Sequence, residues 1–561
     1  MGTSSTKRNR KKARETSGAA PASKRKTPAA ENRRAPVVPA RSIGDEIPER
    51  AWIVASIVIL MLATVLRVYV LDLKPLHHDE GVNGFFLTNL LRQGVYHYDP
   101  QNYHGPTLYY LTVPVVALFG LNTFAVRLVT VAFGIGTVWL VLALRRYVGA
   151  VGALVAAALV AVSPACVFYS RYFIHESLFV FFTLGIVVAA LRFYETGEAQ
   201  YVLLATASAA MLFATKETAF ISVVTLGLAW LVAVVWVKLT GSSRERRREA
   251  RGENGLSIFF ASRQASLVIG GAVALFVFIW IIFYSSFLTN WQGIPDSISA
   301  LSLWGKTGMS EFHNKPFGTY IEWLWQEEAP ILILACAGAL VALFERKKNR
   351  FAIFASAWAF GLLVAYSLIR YKTPWLVLSF VVPMAIAGGY AVQKLNDWAR
   401  VDSWGRGGHI PALIIACVAL AVCSYQTVVL NFREYDNNDK YPYVYSHTVR
   451  QALDLVDEVE RMGERAGTKE PGVSVASPDY WPLPWYFRNN SHVGFGGSLS
   501  NSYDPNTTLA IIGKEDQLPQ LQRVLGDSYA RVGGIYPLRP GVNLVLFERR
   551  DLAPPRLAPA P

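Results

Sequence analysis

The chain has 561 residues, 52% hydrophobic, 13% aromatic and only 17% charged, with a mean hydropathy of +0.29, which excludes an ordinary soluble protein and reads as a polytopic membrane protein. The formal net charge is +14, but residues 1–50 alone hold 13 Lys/Arg against 5 Asp/Glu, so most of the excess lies in one Pro/Ala/Ser-rich tail and argues against a nucleic-acid partner. Cys166, Cys336, Cys417 and Cys423 all fall inside apolar runs, which leaves no disulfide framework and no Cys-based metal site.

Residues 1–50 are expected to be a disordered, basic, cytoplasmic tail that sets topology. Apolar runs near the ~20 residues that cross a ~30 Å hydrocarbon core then recur: 51–71, 125–144, 150–168, 177–194, 201–215, 218–239, 266–287, 329–344, 351–369, 374–393 and 410–430. The first is too long for a signal h-region, and "RVYVLDLKP" offers no small-residue cleavage site, so it reads as a retained span. "TLYYLTVPVVALFG" (107–120) is short and contains Pro114; it reads as interfacial or re-entrant. Leaving it out gives about eleven transmembrane helices. It also places "RRYVG" (145–149), "SSRERRREARG" (242–252), "ERKKNR" (345–350) and "KLNDWARVDSWGRGGH" (394–409) with the N-terminal tail, as the inward bias of Lys and Arg requires.

The first outer loop 72–124, "SRYFIHES" (170–177), "TKET" (215–218), the loop 288–328, "IRYKTPW" (369–375) and everything after 430 then share the opposite, extracytoplasmic side. The fold class is therefore mostly α, a transmembrane domain over 51–430. Alternating helical and strand-like patterns over 431–550 predict a small extracytoplasmic α/β domain, and 551–561 a disordered end.

Polar residues that interrupt apolar text at span mouths are candidates for function. "HHDE" brings His77, His78, Asp79 and Glu80; "YHGP" holds His104 at a Gly-Pro turn. "SRYFIHES" adds Arg171, His175 and Glu176; "TKET" adds Lys216 and Glu217; "IRYKTPW" adds Arg370 and Lys372. One or two carboxylates among fixed cations suit displacement at a lipid-phosphate-linked sugar. The anionic leaving group needs cations more than a general acid, and the acceptor hydroxyl needs one base. Asp79 fits the base; Arg171 and Lys216, with Arg127 or Lys372, fit a phosphate clamp. A divalent metal ion is the competing reading of His77, His78, Asp79, Glu80 and His104, although no HExxH-like spacing supports it.

These motifs, "HHDEGVNGFF", "YHGPTLYYLT", "FAVRLVTVAFG", "SRYFIHES", "ATKETAF", "YKTPW" and "YWPLPWYFRN", resemble the GT-C superfamily of membrane glycosyltransferases over about residues 52–490. The resemblance is to the dolichyl-phosphate-mannose protein mannosyltransferase-like and lipid A aminoarabinose transferase-like branches, and more closely to the prokaryotic flippase activity-associated proteins. It implies a GT-C fold, an active site at the extracytoplasmic interface and a polyprenyl-phosphate sugar donor. It also implies Asp79, with Glu80 beside it, as catalytic base, and Arg127 as the arginine that opens the second span. His104 stands where the aminoarabinose branch has a lysine. In "YWPLPWYFRN", Trp481, Trp485 and Arg488 either dock the outer domain on the membrane rim or hold a sugar acceptor.

The expected function is an integral plasma-membrane glycosyltransferase, N-terminus cytoplasmic, acting by inverting displacement on an extracytoplasmic glycan, lipid or protein acceptor. The rivals are a lipid-linked sugar transporter or flippase component and a non-catalytic partner in cell-surface glycan assembly. Acids are scarce in the apolar runs away from their outer ends, which counts against a transport path.

Overall fold

The computed structural model describes residues 44, 47–241, 259–260, 262, 264–307, 314–401, 409–499 and 504–551, and these form one compact unit. The predicted tails up to residue 43 and beyond 551, and the basic stretches 242–252 and 402–408, lie outside the described residues.

Every expected span is helical. In chain order the helices are α1 (Glu49–Val68), α2 (His78–Gln93), α3 (Thr107–Phe119), α4 (Thr123–Leu142), α5 (Arg145–Val148), α6 (Ala150–Val162), α7 (Pro164–Ser170), α8 (Glu176–Thr196), α9 (Ala199–Phe213) and α10 (Ala219–Thr240). There follow α11 (Ala265–Tyr284), α12 (Gly293–Thr307), α13 (Thr319–Glu327), α14 (Ala329–Phe344), α15 (Arg350–Leu368), α16 (Leu378–Val401) and α17 (Ile410–Phe432).

Local chemistry explains the breaks. Ser163 is extended, as a residue before proline prefers; its hydroxyl accepts from Cys166 N–H at 3.2 Å, and Pro164 opens α7. The third span therefore bends by 54° between α6 and α7, and α13 and α14 meet at 112°. Among the described residues, eight helices are long and apolar enough to cross a membrane, or ten if each bent pair is one span. The expected eleven also counted α9, whose 15 residues reach only about 22 Å. The chain is a multi-pass membrane protein.

Burial orders the bundle. The α16 segment has 83% of its apolar window inside the protein, against 11% for α1 and 6% for α11, so α16 is central and the other two present Ile53, Val58, Met61, Leu267 and Val273 outward. Small residues allow the central contacts. A methyl on Gly389 would stand 2.3 Å from Gly152 O, and one on Gly338 1.9 Å from Ala387 O.

The C-terminal region adds α18 (Ala452–Arg465), β1 (Gly472–Val475), α19 (Leu483–Tyr486), β2 (Val493–Phe495), β3 (Thr508–Lys514), α20 (Leu518–Leu525), β4 (Tyr529–Arg539) and β5 (Val542–Arg549). The sheet order is β2-β1-β3-β5-β4, with β1 parallel to both β2 and β3, and β5 antiparallel to β3 and β4. Leu455, Val459 and Met462 of α18 cover one face with Val473, Val475 and Ile512, while Leu521 and Leu525 of α20 cover the other with Ile511 and Val545. The alternation of Ile511 and Ile512 between faces is the period-2 signature of a strand buried on both sides.

This region is seated on α2. A methyl on Gly81 would lie 2.5 Å from Pro482 Cβ, and one on Gly84 2.5 Å from Trp485 Cε3, so two glycines on α2 receive the α19 turn. Leu76 N–H donates to Tyr486 Oη at 2.8 Å beside them.

Candidate functional site

All five of the sequence clusters supply residues to one cavity of about 230 Å³. The loop before α3 is tied to the α9–α10 turn: Gly105 N–H donates to Thr215 O at 3.1 Å, and Thr107 Oγ1 to Ala214 O at 2.6 Å. A methyl on Gly105 would lie 2.0 Å from Ala214 O, so only glycine permits this approach. It brings His104 Nδ1 within 2.9 Å of Glu217 Oε2.

Glu217 is buried. Burial raises its pKa, but the His104 contact and the Lys216 charge outweigh that and hold it below the usual carboxylate value. Lys216 forms an ion pair with Glu176 at the start of α8. Burial works against its charge, yet Glu176 and Glu217 keep it protonated, above the usual lysine value. His175 donates from Nε2 to Gly105 O at 3.2 Å, and its ring lies 5.0 Å from that of His104. Burial drives its pKa well below the ordinary value, with help from His104 and Lys216.

The opposite wall is the first turn of α2. His77 is its N-cap: Nδ1 accepts from Asp79 N–H at 3.1 Å, which leaves the Nε2 proton to donate to Tyr445 O at 3.2 Å. His78, Asp79, Val82 and Asn83 face the cavity, the i, i+3, i+4 stripe of a helix. The Asp79 carboxylate is half-buried and has no hydrogen bond or ion pair among the described residues. His78 is shifted down to about 4, chiefly by burial. Asn83 is fixed at both ends, donating to Phe173 O at 2.9 Å and accepting from Tyr109 Oη at 2.9 Å.

Glu80 is corrected. It is fully buried and lies outside the cavity; Arg127 Nε donates to Oε1 and Nη2 to Oε2, each at 2.7 Å. Phe173 N–H and His77 N–H occupy its remaining lone pairs at 2.8 and 2.9 Å. Arg127 completes its own donors on Leu71, Lys74 and Pro75 carbonyls. The pair is a structural pin of the first outer loop, and neither member is left to act as base or clamp.

Arg171 lies outside the cavity, its Nη1 and Nη2 donating to the carbonyls of Leu66, Arg67, Tyr69 and Val70 at the end of α1. Ile369 and Thr373 have extended backbone, and Tyr371 is bridged to Asn314. Ile369, Tyr371 and Thr373 line the cavity, and Arg370 and Lys372 do not. Lys372 Nζ donates to Ile369 O at 2.6 Å and Lys315 O at 3.1 Å. His77 lines a smaller neighbouring cavity with Tyr169, Tyr172 and Tyr443.

Trp485 is buried in the α2 seat, and Arg488 lies 4.3 Å over its ring while donating to Leu121 O at 3.1 Å. Both dock the C-terminal region rather than meet the cavity. Trp481 contacts α2 through Phe85 and His78, at ring separations of 5.8 and 6.3 Å. Sequence reasoning missed the aromatic walls Tyr103, Trp304, Tyr366, Tyr371 and Trp375; three of the five sit inside or beside the quoted motifs, where charge drew the attention.

Among the described residues no three His, Cys, Asp or Glu side chains converge as a metal-ligand set. Of the residues the divalent-ion reading used, Glu80 is taken up by Arg127 and His104 by Glu217, while His78 and Asp79 line the cavity.

Comparison with known proteins agrees on the fold. Residues 103–243 match the family model described as dolichyl-phosphate-mannose-protein mannosyltransferase. No curated protein sequence matches the chain. The crystal structure of ArnT from Cupriavidus metallidurans bound to undecaprenyl phosphate superposes with a TM-score of 0.61 at 14% identity, over 91% of this chain and 100% of that one. Its apo state gives 0.60 at 13% identity with the same coverage. At such identity the likeness is one of fold: this chain has the GT-C membrane architecture that its motifs suggested.

Proposed function

We propose that the chain is an integral membrane glycosyltransferase that moves a sugar from a polyprenyl phosphate to a hydroxyl acceptor outside the cytoplasm. One observation carries the reading: the Asp79 carboxylate, without a hydrogen bond or ion pair among the described residues, shares a cavity with a buried, oriented ammonium, Lys216. The setting supports it, since the fold is shared with a protein crystallised with undecaprenyl phosphate.

In this reading Lys216 meets the donor phosphate. It holds one N–H on Glu176, and an ammonium carries three donors, so two remain for phosphate oxygens. His104, its Nδ1 engaged by Glu217, offers Nε2 on the same side. Asp79 removes the proton of the acceptor hydroxyl as the acceptor oxygen bonds to the anomeric carbon. The bond from that carbon to the phosphate oxygen breaks, configuration inverts, and polyprenyl phosphate departs as an anion that needs little protonation. Positive charge grows on the sugar in such a transition state, and the acids around the cavity stabilise it while Lys216 balances the leaving group. The Lys/Arg distribution supports a cytoplasmic N-terminus and a cavity opening on the other side.

The test is turnover of radiolabelled polyprenyl-phosphate sugars by purified protein in nanodiscs. Wild type is expected to release or transfer sugar and folded Asp79→Asn to lose about two orders of magnitude or more. A broad donor panel with no turnover, or an Asp79→Asn protein as active as wild type, would overturn it.

A further inference from the structure

The C-terminal sheet region reaches α2 beside the cavity, through Trp481 against His78 and Phe85. Strands β1 to β4 run in one direction and β5 opposes them, so Val475, Phe495, Lys514 and Arg539 all end at one edge. The chain leaves β1 for β2 on one side and returns past it to β3 on the other. That order makes the β1/β3 edge a topological switch point, where open α/β sheets bind ligands beyond the carboxyl ends of their strands.

The groups gathered there are suited to a sugar. Asp479, just beyond β1, accepts from Arg539 Nη2 at 2.9 Å and pairs with Lys514 at 3.1 Å. Arg539 Nη1 donates to Trp481 O at 2.9 Å. The rings of Tyr480 and Trp481 lie 5.4 Å apart, and both are only partly buried. Trp481 then reaches the ring of His78, which itself lines the catalytic cavity. Crevice and cavity thus meet at one residue.

We propose that this switch-point crevice binds a carbohydrate acceptor and presents its terminal hydroxyl to Asp79. The part-exposed Trp481 ring supplies an apolar face for the C–H face of a sugar ring, with the Tyr480 ring tilted 39° beside it, and the Asp479–Arg539–Lys514 cluster supplies acceptors and donors for hydroxyls. The assignment rests on the glycosyltransferase reading, and names its acceptor class.

The test uses the full chain in nanodiscs with fluorescently labelled manno-, gluco- and galacto-oligosaccharides of two to four units. Wild type is expected to bind at least one series. Trp481→Ala and Lys514→Ala should each weaken it about tenfold, and Trp481→Phe should retain it. Lys514→Ala removes only surface ion pairs, so it reads the site even if Trp481→Ala fails to fold. Binding to no series, or binding unchanged in both alanine variants, overturns the proposal. Donor hydrolysis by wild type without acceptor is read separately. Hydrolysis without oligosaccharide binding sinks the acceptor site alone; variant-sensitive binding without hydrolysis of any donor sinks the transfer reading alone.

Discussion

Asp79 and Glu80 are neighbours in sequence, yet α2 turns about 100° between them, so one carboxylate enters the cavity and the other meets Arg127. The acid pair was legible from its place at a span mouth; the helical phase that separates the two roles was not. The two variants should fail in different ways. Asp79→Asn is expected to keep its melting temperature and lose turnover. Glu80→Gln strands the buried Arg127 charge and should cost about 3–5 kcal/mol of stability, visible as a large fall in thermal melting or in folded yield. Three histidines, the half-buried His78 and the buried His175 and His447, have lowered pKa values, chiefly through desolvation. In the unfolded chain each titrates near 6.5, so acid favours unfolding: stability is fully present above about pH 6.5 and is lost as pH falls toward 4. Melting curves between pH 8 and 4 should show this decline, and His78→Asn should make it shallower.

Elements position these residues through features that sequence periodicity reads unevenly. Each apolar run became a helix because its composition and length leave little else to do in a bilayer. The bend at Ser163–Pro164 was also present in the letters, as a proline inside an apolar run. The course of residues 369–373 was not, since five residues give too little pattern. That course decides that Tyr371 and Thr373, and not Arg370 and Lys372, line the cavity. The seat of α19 on α2 was hidden as well, because two glycines in "HHDEGVNGFF" acquire meaning only once Pro482 and Trp485 arrive against them. Gly84→Ala places a methyl against Trp485 and should cost about 1–3 kcal/mol. Limited proteolysis should then cut residues after 432 faster than in wild type. Unchanged proteolysis and melting would show that the seat is not tight.

At the scale of the molecule, sidedness follows from charge and has the widest consequences. If the basic loops face the cytoplasm, the cavity and the C-terminal sheet share the other side, and a donor assembled on a polyprenyl phosphate must be presented there. A cysteine introduced at the exposed Asn506 should react with an impermeant maleimide in intact cells, whereas one at Lys347, in the basic turn before α15, should react only after permeabilisation. The reverse pattern would invert the topology. The most direct test of the whole account is a structure of the Asp79→Asn protein with a polyprenyl-phosphate sugar bound. The account predicts a phosphate oxygen within hydrogen-bond reach of Lys216 Nζ and the anomeric carbon facing residue 79. A phosphate held elsewhere, with the cavity between α2 and the α9–α10 turn empty, would contradict it.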